Sequence, residues 1–403
     1  MSRSVQQGSE SRGEGSRGPA AGRLAQLYVA IALVVWVGTE VAIAVMTARD
    51  PTANTTFNVY RTAVHAWTAG TEIYGPGIHG FLYFPTFLPV VAPFVWLGEP
   101  LGDVVWRCAY FLFLTWALWA LARAAAPRAA LPVLAALLLL GLPAAGMALQ
   151  DGQATAPMFA AMVLAAVAIG RARWWAAAGW LALAVAIKPL ALVLVLLALA
   201  LHRPLWLRFP AALLPLLLLP LVITAPGDLV PLYRAAFVKM QIAADPRHGP
   251  WAELATLLAM AGWPAPGWLL EAVRAAAALV ALWLAWEARR RLPPMAAALA
   301  MLLLAVAYLL PFNPRSEETT YLMLGFAIAL PAAVAWFVER RAAAAAGLAV
   351  LALASGMQAF NGPLFHATEY WLKPLVALLF FVLIALRVMT AGRPLAGART
   401  APA

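Results

Sequence analysis

The chain has 403 residues, 64% of them hydrophobic and 11% charged, with a net charge of +11 and a mean hydropathy of +0.83. That composition excludes a water-soluble domain, and a single cysteine, Cys108, excludes both a disulfide framework and a thiolate metal site. The positive charge sits in short arginine clusters between apolar runs, which is the pattern of cytoplasmic loops, so no nucleic-acid partner is expected.

In chain order, residues 1–24 are rich in Gly, Ser and Arg, lack apolar periodicity and read as a disordered cytoplasmic tail. A first span follows at 25–47 and a long external loop at 48–100. Within that loop, 57–69 has helical amphipathicity and should lie flat on the membrane, with Arg61 and His65 turned toward water. The run 82–98 carries three prolines and reads as re-entrant or interfacial. Further spans are expected at 102–122, 130–149, 153–170, 206–224, 267–287, 294–312, 320–337, 342–358 and 372–388. Residues 173–201 should go out and return as two half-length helices hinged at Ile187–Lys188–Pro189, because proline breaks the helix before it. A second long external loop occupies 225–265, and 391–403 is a second disordered tail. The whole is an all-α polytopic bundle of about 10–13 transmembrane helices.

This arrangement puts six basic clusters on the cytoplasmic side: Arg123 and Arg128, Arg171 and Arg173, Arg203 and Arg208, Arg289 to Arg291, Arg340 and Arg341, and Arg387 and Arg393. The polar segments "LQDGQAT" (149–155), "FNPRSEETT" (312–320) and "NGPLFHATEYW" (361–371) then share the opposite face with both long loops. A site at that membrane surface is the natural expectation. No phosphate-cradling GxxxxGK[ST] loop, GxGxxG turn, HExxH or GxSxG is present, so no nucleotide cofactor is expected. His65, His79, His248 and His366 lack metal-ligand spacing, and no metal is expected either. Glu40 and Arg107, each inside a span, read as an intramembrane ion pair. The 17 tryptophans cluster near span ends, as in an interfacial aromatic belt.

The segments "FNVYRTAVHAWTAGTEIYG", "FLYFPTFLPVVAPFVWLGEPLGDVVWR", "DGQATAPMFAAMVLAAVAIGRARWWAAAGWLALAVAIKPLALVLVLLAL" and "FNPRSEETTYLML", taken in order, resemble glycosyltransferase family 87 over about residues 25–340. The resemblance implies a GT-C fold that moves a sugar, mannose being the best-known, from a polyprenyl phosphate to a lipid-linked or glycan hydroxyl. The reaction would take place outside the cytoplasm, at the inner (plasma) membrane. Relatives often carry an aspartate just before the VY pair, where this chain has Thr56 and Asn58. Either another carboxylate takes the proton or the protein runs a different reaction; for the first, Glu317, Glu318, Asp151 and Asp50 are the catalytic candidates, with Glu72 and Glu40 behind them. Arg315, Lys188 and Arg61 are candidates to face the departing phosphate, with Asn58, Tyr60, Gln153 and His65 as further substrate-binding residues. Arg234, Lys239 and Arg247 are the remaining external cations. Bland alternatives stand beside these: Glu317 and Glu318 capping the helix that opens at Thr319, Arg315 pairing with them, and Asp151 serving a tight turn. A lipid or small-molecule transporter, or an inactive scaffold, are the alternative functions.

Overall fold

The computed structural model describes residues 19–51, 55–245 and 250–391. Positions 1–18 and 392–403 of the expected tails lie outside these residues, as do Arg247 and His248. The first helix already begins within the expected N-terminal tail, because Pro19 suits a first helical position and Ala20 and Ala21 are strong helix formers.

Among the described residues every regular element is helical. The chain opens with α1 (Pro19–Arg49), α2 (Thr55–Ala69), α3 (Phe87–Val95), α4 (Leu101–Ala125) and α5 (Ala130–Gln150). It continues through α6 (Thr155–Gly170), α7 (Trp174–Ile187), α8 (Leu192–Leu201), α9 (Leu205–Leu218), α10 (Leu229–Ala243) and α11 (Leu254–Met260). It closes with α12 (Gly267–Arg291), α13 (Pro294–Phe312), α14 (Leu322–Phe337), α15 (Ala342–Ala354), α16 (Gly362–Thr368) and α17 (Leu372–Thr390). Eight of these, α1, α4, α5, α9, α12, α13, α14 and α17, some with a flanking 3₁₀ turn, are long and apolar enough to cross a bilayer. The protein is an all-α, multi-pass membrane bundle.

The two ends of the bundle differ in chemistry. Arg289 donates to the Leu201 carbonyl, Arg291 to the Met389 carbonyl at 2.7 Å, and Arg387 pairs with Glu339. The ends of α8, α12, α14 and α17 therefore meet, and their arginines with them. Helix alternation carries Arg123, Arg128, Arg171, Arg173 and Arg340 to that same end. The long connections gather at the other end, where Trp67 donates to Thr224 Oγ1 at 2.8 Å and Tyr321 to the Ala252 carbonyl at 2.7 Å.

Close packing is set by small residues. α5 lies on α14 with Gly141 against the Phe326 ring, where a Cβ would stand only 2.3 Å from the nearest ring carbon, and with Ala144 against Gly325. Within lipid there is little hydrophobic drive between helices, so such close backbone approach supplies the attraction. α6 is buried along almost its whole length, whereas α1, α9 and α12 turn residues such as Val34, Leu207 and Leu279 outward, as lipid-facing helices do.

Three short elements shape the loop-bearing end. α3 has nine residues, about 14 Å at 1.5 Å per residue, so the proline-rich run enters the bundle without crossing it. α7 and α8 form the hinged pair: Lys188 is extended at φ −151°, ψ 127°, and Pro189 opens the 3₁₀ turn that begins the return. α7 has 14 residues, about 21 Å, against a hydrocarbon thickness of about 30 Å, so it is too short for a full crossing before the hinge at Lys188. The Glu40–Arg107 ion pair is not formed. Arg107 is instead satisfied by the Gln150 carbonyl at 3.0 Å, the Asp103 carbonyl at 3.1 Å and the Asp103 carboxylate at 3.6 Å, all nearer along its own and the adjoining helix.

Candidate active site

A cavity of about 480 Å³ opens at the loop-bearing end. Its walls come from α2 (Thr56, Val59, Tyr60), the segment before α3 (His79, Gly80, Leu82, Tyr83), the α5–α6 turn (Gln153), the α7–α8 hinge (Lys188, Pro189, Leu190), the end of α10 (Met240, Ala243, Ala244) and the 313–320 connection (Asn313, Pro314, Arg315, Glu317, Thr320). Six chain segments thus converge on one space, most of them at helix ends, where polar side chains are released from the apolar stripe.

The floor is the hinge. Lys188 Nζ donates to Thr155 Oγ1 at 3.1 Å and stands 5.8 Å from the centre of the Tyr83 ring. One side is a hydrogen-bonded chain: Ala154 N donates to Tyr60 Oη at 3.0 Å, the Tyr60 and Tyr83 hydroxyls are 2.8 Å apart, Tyr83 reaches Gln153 Oε1 at 3.2 Å, and Gln153 Nε2 reaches Thr56 Oγ1 at 3.4 Å. Burial pushes both phenols up, so they stay protonated donors and acceptors.

Glu317 faces this floor from the 313–320 connection. Arg315 donates to Glu317 Oε1 from Nη2 at 3.0 Å and from Nε at 3.2 Å, and to the Ile78 and Ala243 carbonyls from Nη1 at 2.8 and 3.3 Å. Its guanidinium also lies 4.1 Å from the Trp251 ring centre. Burial pushes the Glu317 carboxyl up, but the Lys188 ammonium and Arg315 guanidinium outweigh it and hold the group below its ordinary value. Glu317 is the N-terminal flank of the 3₁₀ turn Glu318–Tyr321 yet makes no side-chain cap there.

Of the residues singled out in the sequence, the cavity brings together Glu317, Arg315, Lys188, Tyr60 and Gln153. Glu318 turns away from it to pair with Lys373 at the start of α17. Arg61 is drawn into an ion cluster with Glu99 and Asp103 and donates to Asn58 Oδ1 at 2.6 Å, and both Arg61 and Asn58 lie off the cavity wall. Asp151 caps the end of α5 outside the wall, its carboxyl pushed up by burial and partly restored by Arg107. Asp50, Glu72 and His65 also lie outside it. Thr56, His79, Tyr83, Asn313 and Thr320 are wall residues not proposed from the sequence as binding groups. The one signal for His79 was its glycine-flanked place in "GPGIHG". Among the described residues, no group of three or more His, Cys, Asp or Glu side chains is placed to hold a metal ion.

The sequence model of glycosyltransferase family 87 matches residues 81–310, more than half of the chain. The chain belongs to glycosyltransferase family 87. It is accordingly a multi-pass membrane glycosyltransferase. The matched region of this family 87 protein contains Tyr83, Gln153 and Lys188 and ends just before Arg315 and Glu317. No curated protein and no solved structure matches the chain.

Proposed function

We propose that this family 87 glycosyltransferase moves a sugar from a polyprenyl-phosphate donor to the hydroxyl of a lipid-linked or glycan acceptor on the extracytoplasmic face. The observation that carries the proposal is the pairing, in one cavity, of a cation suited to phosphate with a carboxylate suited to a proton. Lys188 has three N–H bonds, and among the described residues Thr155 Oγ1 is its hydrogen-bond acceptor, which leaves donors for an anion. Arg315, by contrast, spends its guanidinium on protein groups, so it orients Glu317 while Lys188 meets the phosphate.

In the transfer, the acceptor hydroxyl gives its proton to Glu317 as its oxygen bonds to the anomeric carbon. The bond from that carbon to the phosphate oxygen breaks, and its electron pair leaves with polyprenyl phosphate, whose added charge Lys188 balances. Before donor binds, Lys188 and Arg315 hold the Glu317 carboxyl below its ordinary value, which weakens it as a base. A phosphate drawn against Lys188 cancels part of that field and lifts the carboxyl toward the working range, so the base is armed by the donor itself. α7 and α8 are each too short for a full crossing, so the phosphate of a lipid still seated in the bilayer reaches Lys188 at their hinge from the side. Placing the arginine-bearing end in the cytoplasm supports an extracytoplasmic cavity.

The test is label transfer from polyprenyl-phospho-sugars to acceptor lipid by purified protein in detergent, with no ion gradient. Transfer by the wild type, with loss in Glu317→Gln, is the expected result. Gradient-dependent movement of lipid in vesicles without any transfer would overturn the proposal in favour of a transporter.

A further inference from the structure

Two cations at the loop-bearing end are spent on backbone. Lys239, 4% exposed on α10, donates to the carbonyls of Gly75, Pro76 and Gly77 at 2.7, 3.3 and 2.8 Å. Arg315 donates to the next carbonyl, Ile78, at 2.8 Å. Together they grip four consecutive carbonyls of "GPGIHG", residues 75–80. This segment cannot hold itself: it belongs to no helix, and Gly77 and Gly80 sit at φ +79° and +100°. Glycine-rich backbone of that kind loses much conformational freedom when fixed, so it adopts one shape only where outside contacts impose it.

What the grip fixes is the residue that follows the last held carbonyl. His79 is exposed and lines the cavity that also contains Lys188 and Glu317. The other side of the same segment, at Gly75 and Pro76, lines a second cavity, so residues 75–80 are a partition between two spaces and not a spare surface loop. A neutral imidazole offers one donor and one acceptor, which matches a sugar hydroxyl, whereas the phosphate is already matched by the ammonium of Lys188.

Resting on the transferase reading, we propose that residues 75–80 are a strap, clipped by Lys239 and Arg315, that presents His79 to the sugar of the bound donor. His79 is then a substrate-contacting residue, and Lys239 a positioning residue that acts through it.

The experiment titrates the full chain in detergent with two probes that share one lipid chain. One is polyprenyl phosphate, and the other is the tightest-bound of a panel of polyprenyl-phospho-hexoses and polyprenyl-phospho-pentoses. His79→Ala, at an exposed position, should weaken the sugar-bearing probe about tenfold and leave the bare phosphate within about twofold, as loss of one hydrogen bond to the sugar requires. His79→Gln, which keeps a donor and an acceptor, should recover most of the loss. Lys239→Met should weaken the same probe and spare the other, and the double variant should bind no worse than the weaker single within about threefold, since both act on one contact. Equal weakening of both probes by His79→Ala, or no weakening, overturns the sugar contact. Effects that multiply in the double variant overturn the clip. Lys188→Met should weaken both probes. If it weakens neither, or if the wild type binds neither, the transferase reading falls and the strap falls with it.

Discussion

Arg315 grips a single oxygen of Glu317: both Nη2 and Nε reach Oε1, at 3.0 and 3.2 Å. Among the described residues no hydrogen-bond donor is placed on Oε2, so the carboxylate is oriented through one oxygen while the other remains for a substrate proton. The adjacent Glu318 is instead bound to Lys373.

These two glutamates should therefore separate by phenotype. Glu317→Gln should lower transfer by about 10²–10⁴-fold, as loss of a general base does, together with the loss of stability that follows from removing the charge facing Lys188 and Arg315. Glu318→Gln should keep turnover near normal but cost about 2–3 kcal/mol of stability, because it weakens the partner of the almost fully buried Lys373. Turnover assays and thermal melts of both variants decide the matter.

The pH dependence follows from the direction of the Glu317 shift. Its folded value is depressed below 4.5, so the unfolded chain binds the proton more tightly. The stability this group contributes is then fully present above about pH 4.5 and is lost as pH falls through the depressed value. Lys188 is the largest of the charges that hold the group down, so Lys188→Met should move the acid limb of stability to higher pH. Acid melts of the two proteins measure this, and coincident acid limbs would remove Lys188 from the neighbourhood of Glu317.

Arg315→Lys should fail as a substitute despite keeping the charge. An ammonium cannot span Glu317, Ile78 and Ala243 at once or stack on Trp251 as the planar fork does. A loss on the order of 2–3 kcal/mol, from several partly buried hydrogen bonds, should accompany lower transfer, read by melts and rate assays.

Gly325→Leu should disrupt assembly of the bundle. A Cβ there already stands 2.7 Å from the Ala144 Cβ, with backbone of α5 behind it, so a larger side chain forces α5 and α14 apart. Overpacking of this kind costs about 1–3 kcal/mol or more, and size-exclusion profiles and melts in detergent should show it.

Orientation can be read with cysteines in a Cys108→Ala background. A cysteine at exposed Glu72, on the cavity end, should react with a membrane-impermeant reagent in intact cells, while one at exposed Ala342, on the arginine end, should not. The reverse pattern would place the cavity in the cytoplasm.

Helix positions and their hinges were legible in the amino-acid order because they depend on local quantities. Run length against bilayer thickness marked α4, α5, α12, α13, α14 and α17 to within a few residues, and Pro189 marked the α7–α8 break by removing a backbone donor. The two unlike ends of the bundle were also legible, because the arginine clusters recur at every second helix end and alternation alone sorts them. Which charged groups share a cavity was not, because that depends on partners far along the chain. Glu317 and Glu318 are neighbours in sequence, but the 3₁₀ turn at Glu318–Tyr321 sends them to different faces, one toward Lys188 and the other toward Lys373, 55 residues on. Arg61 had the same promise as Lys188 until Asp103, 42 residues away, took its guanidinium. His79 offered only its glycine-flanked place, and the hold on the carbonyls before it comes from Lys239, 160 residues later. A buried charge takes the acceptor that packing brings nearest, and packing at helix ends is decided by contacts between segments that no local pattern records.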